Sequence, residues 1–308
     1  MLITNANLHR AKSNKNDEFY TEYSTVEQEM PYYKEYFKGK CLYFNCDRPT
    51  DSSFWAYFHI HFAELGLRKI IATYCDISNP VYKWEYTGGN DADVSIAQKT
   101  LLGDYGSFQG CASLEILSEC DTVVTNPPFS MFREFVACLM DNHKDFLILG
   151  NMNAVTYKEI YPYIQANKLW YGVSLTGTKC SFIVPPTYEG ANVFIEQGIR
   201  KAKVNNAIWF TNIDHAKRHE FIPLTAQYDA TKYIKYDNYD AIECARLTSI
   251  PCDYKGIIGV PITFLSKYNP EQFRIIKFRK GNDNKDLVYT TSKGELKQPY
   301  FRILIQRL

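Results

Sequence analysis

The sequence predicts an α/β fold built on a parallel sheet, followed by a small basic domain. Three observations carry this. Short apolar runs alternate with amphipathic stretches between Lys40 and Asn212, the rhythm of strand–helix units around a sheet. After Asn212 helical periodicity fades, and Tyr, Lys, Asp and Pro dominate stretches such as YDATKYIKYDNYDA. Charge is also unevenly spread. From Ile199 to Leu308 there are 19 Lys and Arg against 11 Asp and Glu, an excess of eight positive charges on a chain whose net charge is only +1. A basic end on an acidic body suits a polyanionic partner held by one part of the molecule.

The elements follow in order. KCLYFNC (Lys40–Cys46) reads as a first strand. Ser52–Gly66 reads as a helix with a serine cap and a terminating glycine. KIIATYC (Lys69–Cys75) is a second strand, and Val81–Gly103 a hairpin around Gly88-Gly89 that feeds a third. CASLEILSE (Cys111–Glu119) is a helix, TVVTN (Thr122–Asn126) the fourth strand, and Ser130–Asn142 the next helix. DFLILGN (Asp145–Asn151) is the fifth strand, TYKEIYPYIQAN (Thr156–Asn167) another helix, and NAIWFTN (Asn206–Asn212) a late strand. GIIGVPITFL and YFRILIQRL are β-like runs of the basic part, and a boundary is expected near Ile213.

Composition excludes some classes. A hydrophobic content of 45% with 22% charge is that of a folded globular chain rather than a disordered one. No run reaches the length of a membrane span, and the first residues lack the apolar core of a secretory signal, so a cytoplasmic protein without membrane association is expected. The nine cysteines include no CxxC pair, which fits reduced thiols. His59 and His61, and His215 and His219 beside Glu220, have spacings seen in metal sites, but no third ligand accompanies them and no metal is expected.

The chemistry concentrates in Asn126-Pro127-Pro128-Phe129, at the carboxyl end of the fourth strand, where ligands bind in open parallel sheets. The prolines make a stiff turn that presents carbonyl oxygens without competing donors, and Asn126 adds a side-chain acceptor. Two acceptors aimed at one point suit an –NH2 group, and Phe129 offers a flat face for a planar ring. This answers a specific difficulty. The exocyclic amine of adenine is a poor nucleophile because its lone pair is delocalised. Holding both hydrogens favours a pyramidal nitrogen that can attack an electrophilic methyl group, with positioning and electrostatics carrying the rate.

TNPPF resembles the catalytic motif of S-adenosylmethionine-dependent methyltransferases acting on DNA adenine. Together with KNDEFYT (Lys15–Thr21), YFNCDRP (Tyr43–Pro49), FLILGNMNAVTYKEI (Phe146–Ile160), WFTNIDHAKRHE (Trp209–Glu220) and YDNYDAIE (Tyr236–Glu243), it makes the chain similar to the EcoRI-type adenine-specific DNA methylase family from Asn16 to about Phe273. The resemblance implies a Rossmann-like methyltransferase sheet over residues 1–213 and a target-recognition domain over 214–308. The activity implied is methyl transfer to adenine N6 in double-stranded DNA, after the base has flipped out. A cognate restriction endonuclease acting on the same site is an allowed companion.

The same resemblance implies residue roles. Asn126 and the Pro127 carbonyl hold the target amine in the turn stiffened by Pro128, and Phe129 stacks on the base. Phe19, Tyr20 and Thr21 meet the methionine part of the cofactor, Asp76 the ribose, and Asp104 its adenine amine with Tyr105 alongside. The loop FNCDRPTDS departs from many methyltransferases in having no glycine, so Asn45 and Asp47 stand near the cofactor without individual contacts assigned. Trp209 is implied to touch substrate. Lys232, Lys235, Arg246, Lys255, Arg274, Lys277, Arg279 and Lys280 are candidates for DNA contact, with Lys277, Arg279 and Lys280 the first choices. The alternatives are methylation of RNA adenine or protein glutamine, and a non-catalytic DNA-binding or anti-restriction protein on this fold. A nicotinamide oxidoreductase is disfavoured because no GxGxxG follows the first strand.

Overall fold

A computed structural model describes residues 20–174, 180–186, 188 and 192–308. The chain divides into two compact units, Met1–Ala154 with Gly172–Ile213, and Val155–Tyr171 with Asp214–Leu308. The first unit contains strands β1 (Tyr20–Thr21), β2 (Cys41–Phe44), β3 (Lys69–Ala72), β4 (Tyr82–Tyr86), β5 (Gln98–Leu101), β6 (Thr122–Thr125) and β7 (Asp145–Asn151). After β8 (Trp170–Tyr171), which falls in the second unit, come β9 (Cys180–Ile183), β10 (Val193–Glu196), β11 (Ile199–Val204) and β12 (Ala207–Thr211).

Seven of these strands lie in the order β5-β4-β3-β2-β6-β7-β12. The centre is parallel, with β2 between β3 and β6 and β6 beside β7. Every residue of β2 and β6 is buried, as parallel strands covered on both faces require. Helix α1 (Tyr23–Glu29) precedes β2, α2 (Ser53–Ile60) follows it, α3 (Cys111–Glu119) leads into β6, and α4 (Phe132–Asp141) into β7. Ser52 caps α2 by accepting the Trp55 N–H at 3.1 Å. Phe132, Phe135, Val136 and Leu139 form the buried stripe of α4.

The expected hairpin has arms β4 and β5, but its turn is not tight. Residues 87–97 fold back toward α2 instead, where Asp91 accepts the Tyr86 hydroxyl at 2.6 Å and the Ala63 N–H at 3.0 Å. Since β4 is antiparallel to both neighbours, β5 runs parallel to β3, and its following loop emerges at the same carboxyl edge. A second sheet, β1-β9-β11-β10, is antiparallel and was not legible in the sequence.

Glu29, fully buried in α1, accepts Tyr33 Oη at 2.9 Å, Val173 N at 2.7 Å and Ser174 N at 2.6 Å. Lys201 of β11 is held between Glu22 (2.9 Å) and Glu196 (2.8 Å).

The second unit is organised by the sheet β13 (Ala241–Glu243), β14 (Ile257–Pro261), β18 (Arg302–Arg307), β15 (Phe273–Phe278) in that order. Strands β16 (Tyr289–Thr290) and β17 (Leu296–Lys297) form a small ribbon. Tyr236, Ala241, Leu287 and Leu304 form a core cluster here. Residues 155–171, expected in the first domain, belong to this unit. Arg218 donates to Asn167 Oδ1 at 2.6 Å and stacks on Trp170 at 3.5 Å, and Gln165 donates to the Ile276 carbonyl at 2.8 Å. Of the helix expected over 156–167, only α5 (Tyr161–Gln165) forms, with Pro162 in its first turn.

Gly172 tests the buried packing around Glu29. A Cβ at this position would lie 2.3 Å from Glu29 Oε1 and 2.6 Å from Trp209 Cβ, whereas one at Gly103 would meet nothing within 4 Å. Gly172→Ala is expected to cost about 1–3 kcal/mol of stability in urea unfolding. Gly103→Ala should stay within about 0.5 kcal/mol of the wild-type chain.

Candidate active site

Four loops meet at the carboxyl edge of the central sheet. The first follows β2. Asp47 donates its backbone N–H to the Thr73 carbonyl beyond β3 at 2.9 Å. Its carboxylate accepts Ser52 Oγ at 2.8 Å and Thr125 Oγ1 at 2.5 Å. Asn45 is buried and accepts a long contact from Cys46 Sγ at 3.8 Å. Removal from water pushes the Cys46 thiol well above its ordinary range and keeps it neutral.

The loops after β3 and β5 are joined to each other. Asp76 N–H donates to the Tyr105 carbonyl at 3.1 Å. Gly106 (φ +70°) sits so close to Tyr74 that a Cβ would lie 2.0 Å from its carbonyl oxygen, so only glycine serves there. Asp76 accepts Ser78 N (2.9 Å), Asn79 N (3.1 Å) and Asn79 Nδ2 (3.0 Å). The Asn79 amide and the Ser78 N–H hold its carboxyl below the usual carboxylate range. Arg48 approaches Asp76 at 3.8 Å and lies over the Tyr74 ring at 4.2 Å. Asp104 accepts Gly106 N at 2.8 Å and Ala112 N, in the first turn of α3, at 3.2 Å. Tyr105 is exposed.

The fourth loop carries Asn126 to Phe129. Asn126, Pro128 and Phe129 are partly buried and Pro127 is buried. The chain leaves β6 extended through the prolines and enters a single 3₁₀ turn, Phe129–Met131, closed by Met131 N–H to the Pro128 carbonyl at 3.0 Å. No described residue donates to the Pro127 carbonyl, as expected of an acceptor preceding a proline. Below the turn, Phe132 packs on Phe210 at 5.0 Å and closes over Gly150, where a Cβ would lie 2.4 Å from its ring.

The N-terminal segment reaches this edge through β1. Thr21 is buried, and its carbonyl accepts Ser53 Oγ from the first turn of α2 at 2.6 Å. Its own hydroxyl is buried without a hydrogen-bond partner among the described residues. A buried donor left over beside the loop after the first strand fits a polar ligand there. With Asp76 and Asp104 each retaining acceptor capacity, the residues present fit the cofactor that the resemblance implies. Phe19 lies outside the described residues, and Tyr20 is partly exposed on β1.

Several residues expected at the substrate have other partners within the fold. Trp209 is fully buried in β12, paired with Leu149 and edge-on to Phe54 at 6.0 Å. With no exposed surface it builds the core and cannot meet a base. Lys277, Arg279 and Lys280 are not free cations. Arg279 grips Asp286 with two bonds of 2.7 Å, Lys280 reaches the same carboxylate at 2.7 Å, and Lys277 donates to the Gly281 carbonyl at 3.0 Å. They close a turn within the second unit.

His59 and His219 are held within the fold. His59 lies between the carbonyls of Asp91 and Ile96, and His219 between Asp214 and Glu271. Among the described residues no group of three His, Cys, Asp or Glu side chains could hold a metal, and no helix is long and apolar enough to cross a membrane. Reading residues one at a time missed Ser53 and Thr125. The only signals were a serine beside a cap and a threonine beside NPPF.

Comparison with known proteins identifies the family. The model of the family described as adenine-specific methyltransferase EcoRI matches residues 7–307. The type II methyltransferase M.EcoRI of Escherichia coli is 45% identical over 98% of this chain and 97% of its own length. M.MgeORF184P of Mycoplasma genitalium and M.MpnI of Mycoplasma pneumoniae, also type II methyltransferases, are each 35% identical over 87% of this chain and 84% of their own. No solved structure matches. The chain therefore belongs to the EcoRI-type family of adenine-specific, S-adenosylmethionine-dependent DNA methyltransferases.

Proposed function

We propose that this DNA adenine methyltransferase works through the turn Asn126–Phe129, which receives an adenine flipped out of the duplex and holds its N6 amine for methylation. The observation that supports this most directly is the Pro127 carbonyl, which lies at a strand's carboxyl end and takes no hydrogen bond from any described residue. The Asn126 side-chain oxygen and this carbonyl accept the two amine hydrogens. As N6 attacks, positive charge develops on it, and two fixed oxygen dipoles stabilise that charge without rearranging. Pro128 stiffens the turn and Phe129 supplies a face for the ring. An adenine within the duplex is out of reach of such a turn, which is why flipping is part of the reading.

Bound S-adenosylmethionine supplies the electrophilic methyl carbon. Thr21 and Tyr20 are the described candidates for its methionine part, Asp76 for the ribose hydroxyls, and Asp104 for the adenine amine with Tyr105 beside it. Asp76 and Asp104 already accept backbone N–H groups, which fixes their oxygens before a ligand arrives. We infer that the second unit recognises the DNA. Arg246 and Lys255 are exposed and form no ion pair with another described residue, so they replace Lys277, Arg279 and Lys280 as first choices. A companion restriction endonuclease acting on the same site, and a cytoplasmic setting, fit this reading.

Asn126→Ala should lower the single-turnover methylation rate roughly 100- to 1000-fold, with DNA and cofactor affinities nearly unchanged, because the lost contact strengthens in the transition state. A near-normal rate would remove Asn126 from the chemistry. Phe129→Ala should instead loosen the flipped base, read as a loss of signal from a fluorescent base analogue at the target position.

Binding to DNA should weaken steeply with salt. Arg246→Ala and Lys255→Ala are each expected to flatten the plot of log K against log[salt] by about one unit if they contact phosphate. An unchanged slope and an unchanged modified sequence in both variants would place the DNA contact elsewhere.

A further inference from the structure

The ladder between β2 and β6 stops at Tyr43↔Val123, two residues short of Thr125. On the other side, β6 stays paired with β7 as far as Thr125↔Ile148. The last residue before Asn126 is therefore held by backbone from one side only. On the open side, the fully buried Thr125 donates its hydroxyl to Asp47 at 2.5 Å. The other Asp47 oxygen accepts Ser52 Oγ, which in turn caps α2, and the Asp47 N–H is fixed on the Thr73 carbonyl. One residue thus ties together the loops following β2, β3 and β6. Both of its oxygens point to hydroxyls of this chain.

We propose that Asp47 is a positioning residue for methyl transfer, acting through Thr125 to fix the Asn126 and Pro127 acceptors, and is not a ligand of the cofactor. This rests on the reading of Asn126 given above. Beyond Asn126 the backbone φ is set by two prolines, so Thr125 and Asn126 are the last residues of β6 and its loop whose φ is not fixed by a ring, and Thr125 is held by its bond to Asp47.

Titration gives the proposal a signature. Removal from water raises the Asp47 carboxyl to about 6, with its bonds to Thr125 and Ser52 acting against the shift. The other titratable neighbour is the Cys46 thiol, kept neutral by burial, and no charged group is among the causes of the Asp47 shift. Ionised Asp47 accepts both hydroxyls. Protonated, it turns one oxygen into a donor, and the pattern of three groups must change. Because the folded chain holds this proton more tightly than the unfolded one, acidification through about 6 adds stability at Asp47 rather than removing it. A rate that falls there is not unfolding at this group.

The test is single-turnover methylation of a one-site duplex at saturating S-adenosylmethionine, alongside calorimetry with S-adenosylhomocysteine. Thr125→Val should slow transfer about 10- to 100-fold while changing ligand affinity by less than about threefold. Thr125→Ser should recover most of the rate. Asp47→Asn should slow transfer similarly and lose the acid limb near pH 6. Thermal unfolding confirms that each variant is folded, and Thr125→Ser keeps the test open should Thr125→Val not fold.

A wild-type rate in Thr125→Val would overturn the proposal. So would an Asp47→Asn enzyme that binds S-adenosylhomocysteine at least about tenfold more weakly yet transfers normally when saturated, the mark of a cofactor ligand. Asn126→Ala separates the two readings. If it is inactive beside a fully active Thr125→Val, only the role of Asp47 fails, whereas an active Asn126→Ala removes the acceptors on which that role depends.

Discussion

The carboxyl edge of the parallel sheet has to hold four loops in register without glycine in the first of them. A parallel ladder satisfies backbone groups within the sheet and leaves them open where the strands end. Here the open groups are met by a chain of short bonds. Asp47 meets Thr73, Ser52 and Thr125, Asp76 meets Tyr105, and Asp104 meets Gly106 and Ala112. Glycine is kept where backbone packs on backbone at this edge, as at Gly106 against Tyr74. A side-chain carboxylate after the first strand does the shaping that a glycine-rich turn does in other sheets of this kind. This accounts for Asp47 and Ser52 in FNCDRPTDS, a loop that contains no glycine.

In the proposed reading the same rigidity serves the chemistry. Acceptors that stabilise developing charge act best when they need not reorient during the reaction. At Asn126–Phe129 the fixed φ of two prolines, the tie of Thr125 from behind, and the Phe132 ring closed over Gly150 leave the turn little freedom. Thr21, brought in from the other sheet by β1 and pinned by Ser53, joins this edge from a distant part of the sequence.

Much of this was legible. The five parallel or edge-following strands and the helices α2 to α4 lie where short apolar runs and amphipathic stretches place them, because burial on both faces leaves a strong composition signal. The stiff turn at NPPF was legible because proline fixes φ and lacks an N–H in any context. What failed was tertiary. The antiparallel sheet hides in IRKAKV and VFIE, short runs interrupted by charged residues, and Lys201 is buried only because two glutamates meet it. Trp209 looked like a recognition residue because it sits in a shared segment, yet its burial follows from its place in a covered strand. Asp47 was placed near the cofactor by its loop, and nothing in the sequence pairs it with a threonine 78 positions later.

The basic second unit shows how net charge and available charge differ. Arg302 is paired with Glu243 under Tyr236, Arg279 and Lys280 share Asp286, and Arg218 is held by Asp214 and Asn167. These cations are held in turns and at the ends of a small sheet whose own core is apolar, with Ile242, Ile258, Val260, Phe273, Ile303 and Ile305 buried. Their charge still contributes to the long-range field that draws in a polyanion. Counterion release at contact needs cations that can reach phosphates. Arg246 and Lys255 are exposed on the segment between β13 and β14, outside these internal networks. In the proposed reading, steering and contact are carried by different residues of one basic block, and phosphate contact by the second group sets affinity and register rather than sequence.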